Sequence, residues 1–67
     1  MTDTAEFEAE MARQGVKKKD LAAALDLTPA GLWKKINNIT EFTAREIKII
    51  QIYMSLSDAK RDVLFFK

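Results

Sequence analysis

The chain has no cysteine and no histidine, one proline and two glycines among its 67 residues. Without cysteine there is no disulfide framework and no thiolate metal site. Without histidine, carboxylates are the only strong metal ligands left, and the usual nucleophile–base pairings are missing. No apolar run approaches the roughly 20 residues of a membrane span. The opening segment, MTDTAEFEAE, is acidic, whereas a secretory signal begins basic and then turns apolar. The expectation is a cytoplasmic protein with no cofactor. A carboxylate or lysine acting alone is conceivable, but no constellation with mutual geometry argues for an enzyme.

What is present is a composition of 48% hydrophobic and 31% charged residues, the balance of a folded domain and not of a disordered chain. At this length one small domain, residues 1–67, is expected, burying only about 60% of its unfolded surface. The net charge of +1 is unevenly spread. Residues 1–12 carry Asp3, Glu6, Glu8 and Glu10 and no base. Residues 13–35 carry Arg13, Lys17, Lys18, Lys19, Lys34 and Lys35 against Asp20 and Asp26, a net +4. The rest is nearly balanced. The basic segment is either a local patch for a polyanion or a solvated lysine face.

The hydrophobic spacing is helical throughout, with no strand-like alternation. The first helix is expected over Thr4–Gln14, with Phe7 and Met11 one turn apart and Gly15 as its stop. A second runs from Lys17 to Leu25, with Leu21, Ala22 and Leu25 inward. Asp26 suits a left-handed turn. Thr28 as cap and Pro29 at the first position open a third helix to about Asn37, and Asn38 suits its left-handed end. Thr43 and Glu46 form a capping box for a fourth helix, Ala44–Met54, with a Phe42–Ile47 staple. Ser57 caps a fifth, Asp58–Phe65. Two short helices joined by a tight turn across residues 17–37 have the anatomy of a helix-turn-helix.

On the third helix Leu32 and Ile36 point inward. At about 100° per residue, Lys34 lies nearly opposite them. Ala30, Gly31 and Asn37 lie outside, while Trp33 and Lys35 flank the buried stripe. The angle places Trp33 at the core edge, its ring covering Leu32 and the loop with the N–H in water; contact with a ligand's methyls or sugars is the alternative. The fourth helix carries two apolar stripes. Ile47, Ile50 and Met54 form one. Ile49, Ile52 and Tyr53 form the other, which either packs under a neighbouring helix or, with Phe65 and Phe66, makes a homodimer surface.

The segment KKKDLAAALDLTPAGLWKKINN, residues 17–38, resembles the helix-turn-helix of the Cro/repressor (XRE) family. KINN, TEFT, EIKII and LFF, in that order, are similar to the continuation seen in short phage-type Cro-like regulators. The chain departs from the family in having Asp26 and Asn38 where glycine is usual and Lys18 where a phosphate-binding glutamine is usual. Its outer third-helix face carries alanine, glycine and tryptophan in place of hydrogen-bonding side chains. The resemblance implies an all-α, compact five-helix bundle of the lambda-repressor-like DNA-binding kind. It implies a transcriptional regulator that binds double-stranded, palindromic operator DNA with the third helix in the major groove. Thr28, Ala30, Trp33, Lys34 and Asn37 would then face bases or groove, with Ala30 suited to a thymine methyl. Lys17, Lys18, Lys19, Lys35 and Asn38 would face phosphates. The competing reading is a protein-interaction module on the same fold, antirepressor- or antitoxin-like, working through the acidic first helix and the outer face of the fourth.

Overall fold

The computed structural model describes all of Met1–Lys67. Four side-chain oxygens start helices in one geometry, each accepting the N–H three residues on. They are Asp3 from Glu6, Thr28 from Gly31, Thr43 from Glu46 and Ser57 from Lys60. The helices are α1 (Thr4–Gln14), α2 (Lys18–Ala24), α3 (Pro29–Ile36), α4 (Ala44–Tyr53) and α5 (Asp58–Phe65). There is no strand; the chain is an all-α five-helix bundle. Only α2 starts without a side-chain cap, at Lys17. The Thr43–Glu46 capping box is complete, since the Glu46 carboxylate also accepts the Thr43 N–H at 2.8 Å.

Four helix ends repeat one motif. A left-handed residue follows the helix: Gly15 (φ 67°), Asp26 (58°), Asn38 (63°) and Ser55 (52°). The next N–H then reaches back five residues, from Val16 to Met11, Leu27 to Ala22, Ile39 to Lys34 and Leu56 to Gln51. This closure satisfies carbonyls that the helix leaves unpaired, and an apolar residue usually folds back after it. Leu56 is buried and Val16 and Leu27 pack against the core, but Ile39 remains 60% exposed. The closures also end α2, α3 and α4 slightly earlier than the apolar pattern suggests.

The core is built from Phe7 and Met11 of α1, Leu21 and Ala22 of α2, Leu32 and Ile36 of α3, Ile50 of α4, Leu64 and Phe65 of α5, and Leu25, Met54 and Leu56 at the turns. Phe65 is therefore not a surface residue. It is 4% exposed and meets Phe7 and Phe42 edge-on at ring-centre distances of 5.6 and 5.3 Å. Ile49 is half-buried against the same core. Phe65 leaves the expected dimer surface because the C-terminal helix turns its apolar side to α1, while Ile49 packs partly against the core, the other outcome expected for its stripe. Ile52, Tyr53 and Phe66 stay exposed, at 70%, 46% and 62%.

Residues 1–4 form a strap that the helical pattern does not foretell. Thr2 is buried. Its N–H donates to Asn38 Oδ1 at 2.8 Å, and its carbonyl accepts from Asn38 Nδ2 at 3.0 Å. The Thr4 hydroxyl donates to the Ile36 carbonyl at 2.7 Å. On the other side the Asp3 N–H donates to the Leu64 carbonyl. The strap thus pins the carboxyl end of α3 to α5.

Candidate nucleic-acid interface

The outer face of α3 follows from its inner one. Leu32 and Ile36 are fully buried, so the helix turns Ala30, Trp33 and Lys34 to solvent. Ala30 is three residues before Trp33 and four before Lys34, so the three adjoin on the surface. Trp33 is 53% exposed. It stacks on no other ring, and its indole N–H meets no acceptor within the protein. The rest of its surface is covered by the fold, so the ring stands at the border between core and solvent with its N–H unpaired.

Several polar groups expected to face a ligand are taken up inside the fold. Lys35 is held at 2.8 Å by Glu46 Oε1 and at 3.0 Å by the Glu41 carbonyl, with its ammonium 6.0 Å from the Phe42 ring centre. Its side chain is only 15% exposed. The Asn38 amide is doubly bonded to Thr2. Lys35 is therefore engaged inside the fold, whereas the exposed Asn38 keeps one of its two amide N–H groups for an outside acceptor. Asn37 is half-buried and donates to the Trp33 carbonyl at 2.9 Å. The Thr28 hydroxyl oxygen holds the Gly31 N–H at 3.0 Å, which leaves its own hydrogen for an outside acceptor.

Lys17, Lys19 and Lys34 are exposed and have no carboxylate partner. Lys18 pairs with Glu8 at 2.9 Å, but both ends are solvated, and such pairs contribute little. Lys18 can therefore exchange one anion for another. Arg45 and Lys48, in the first turns of α4, are also exposed and unpaired. The sequence reading passed over them because charges in residues 36–67 nearly cancel. Their i, i+3 spacing on one helix was the available signal.

Glu46 is buried, which pushes its carboxyl up; Lys35 and the Thr43 N–H and hydroxyl outweigh this and hold it below the ordinary range. On α1, Lys60 and then Arg13 lower Glu6, while Gln14 and then Arg13 lower Glu10. Glu6, Glu8 and Glu10 are each already matched by a cation of the same chain.

The α3 face lines no cavity. The two cavities, of about 170 and 490 Å³, share Phe42, Ile47 and Phe66, and neither is lined by any residue from Thr28 to Asn37. No group of three acidic side chains is placed to hold a metal ion, and no helix is long and apolar enough to cross a membrane. Comparison with protein-family models, curated proteins and solved structures returns no match.

Proposed function

We propose that the chain is a sequence-specific double-stranded DNA-binding protein, a small transcriptional regulator of the Cro/repressor kind, with α3 laid in the major groove. The observation that carries this reading is the unpartnered face of α3, Ala30, Trp33 and Lys34, on a helix packed against α2 across a left-handed turn at Asp26. A helix of this width fits the major groove, and its amino-terminal half meets base edges. Lys34 supplies a contact to guanine or phosphate, and the Thr28 hydroxyl one to phosphate. Lys17, Lys18 and Lys19 at the start of α2 supply the salt-dependent affinity that carries no sequence information.

Ile52, Tyr53 and Phe66 favour self-association on a two-fold operator. The same exposed apolar side chains support the second reading, a protein partner in place of DNA. Duplex titration at rising salt separates the two. Binding is expected to weaken steeply with salt, and Lys34→Ala to weaken it by roughly fivefold or more. Absence of binding to any duplex at low salt, together with recovery of one protein partner, overturns the DNA reading.

A further inference from the structure

We infer that α3 discriminates its DNA sequence chiefly by apolar contact with thymine C5-methyl groups, received between Trp33 and Ala30, and only secondarily by hydrogen bonds to base edges. This rests on the DNA-binding reading above and specifies what the site selects. Three observations carry it.

The first is the shortage of free hydrogen-bonding groups on the face. Of the outward side chains, Asn37 donates to its own helix and Thr28 serves as the cap. Lys34 keeps all its donors unengaged, Thr28 keeps only its hydroxyl hydrogen, and Asn37 is half-buried with one N–H bound to its own helix; an ammonium does not by itself distinguish a guanine edge from a phosphate. The second is Trp33. A ring this large normally buries most of its surface, and here 53% stays exposed, with no stacked ring and no hydrogen bond from its N–H. Its neighbour one turn back is only a methyl, Ala30, so ring and methyl together form a step of apolar surface. In the major groove the only apolar feature a base pair presents is the thymine methyl. The third is Gly31. A Cβ added there would meet only the Thr28 hydroxyl oxygen, at 3.3 Å. The same capped position holds Glu6, Glu46 and Lys60 in the other helices, so the cap does not require glycine. Glycine here lowers the profile of the helix beside Lys34, which suits close approach of a groove wall.

Charge identifies the occupant. The apolar step adjoins the unpaired Lys34, and Lys17 and Lys19 of α2 are likewise exposed without a carboxylate partner, so the partner is a polyanion that presents methyls. Duplex DNA containing thymine meets both conditions.

The test is selection of bound duplexes from a random pool. Direct titration of a selected duplex against its copy with deoxyuridine at every thymidine follows; that exchange removes only the methyls. Wild-type protein is expected to bind the uracil copy more weakly, by roughly three- to fourfold for each methyl contacted. Trp33→Phe should keep that preference, and Trp33→Ala should lose most of it while still binding weakly and in a salt-dependent way. Equal affinity for the two duplexes overturns the inference and leaves the DNA-binding reading standing. Failure to select any duplex overturns the DNA-binding reading, and this inference with it. A folded Trp33→Ala protein that retains the full methyl preference assigns the reading elsewhere and also overturns the proposal.

Discussion

Gly31 shows how single positions on α3 serve stability and recognition differently. Alanine at this third helical position should raise helix stability by about 0.5–1 kcal/mol. The crowding at Thr28 is of the kind that exposed side chains relieve by a small shift, and the Thr43 and Ser57 caps already live with a Cβ in this place. Gly31→Ala is therefore expected to raise the melting temperature by a few degrees. It should also weaken binding to the selected duplex by roughly five- to tenfold, the scale of one lost base contact. Thermal melting and duplex titration on the same preparation check both signs. A more stable variant with unchanged affinity would show that the helix profile at Gly31 does not matter. Trp33 stands at the same scale. Its position 100° around from Leu32 gave only a border assignment, because helical angle does not tell whether any neighbour rises to cover a ring.

At the scale of elements, one carboxylate joins α3 to α4. Glu46 Oε1 accepts both the Thr43 N–H and the Lys35 ammonium, each at 2.8 Å. The cap of one helix and the side chain of the other thus share an atom. Because the folded carboxyl lies below its ordinary range, Glu46 contributes stability that is whole above the carboxylate range. That contribution is lost as pH falls through its lowered folded value. Lys35→Met leaves a buried carboxylate without its cation and is expected to cost about 2–4 kcal/mol near neutral pH. Without the cation the Glu46 carboxyl moves up from its lowered position, although the Thr43 N–H and hydroxyl still favour its charged form, and protonation removes the unpaired charge. The deficit of the variant should therefore shrink as pH falls through the carboxylate range. Urea unfolding of both proteins across that range measures it; a deficit independent of pH would mean that Lys35 acts through its methylenes alone.

Much of this architecture was legible in the sequence. Thr28, Thr43 and Ser57 announce helix starts by chemistry that is local, as do Gly15, Asp26 and Asn38 for helix ends. Ser55 escaped because serine has no particular affinity for left-handed backbone, although the apolar Leu56 after it follows the pattern of Val16 and Leu27. The polar groups that the fold engages have a common feature. Lys35 finds its carboxylate 11 residues on, and Asn38 finds its backbone partner 36 residues back. A helical wheel shows such groups as outward and free, since it contains nothing that folds back over them.

For the molecule as a whole, the exposed apolar residues lie on several elements, Met1, Ile39 and Val63 among them, and two groups have separate consequences. Trp33 belongs to the α3 face, while Ile52, Tyr53 and Phe66 belong to α4 and the end of α5. Ile52→Glu changes a side chain that is 70% exposed, so folding stability should move by no more than about 0.5 kcal/mol. Self-association, read by sedimentation at rising concentration, should be lost, and binding to a palindromic duplex should become non-cooperative. Wild-type protein that sediments as a monomer on its own and on a two-half-site duplex would remove self-association from the proposal. Trp33 variants should leave the sedimentation result unchanged.

The strap of residues 1–4 gives α3 unequal ends. Its carboxyl end is bound to Thr2 and Thr4, 36 and 32 residues back in the chain, and through Asp3 to α5, whereas its amino end is held by its own Thr28 cap and by packing on α2. The two ends therefore answer to different parts of the chain: loss of residues 1–4 would release Asn38 and leave the turn that joins α2 to α3 in place.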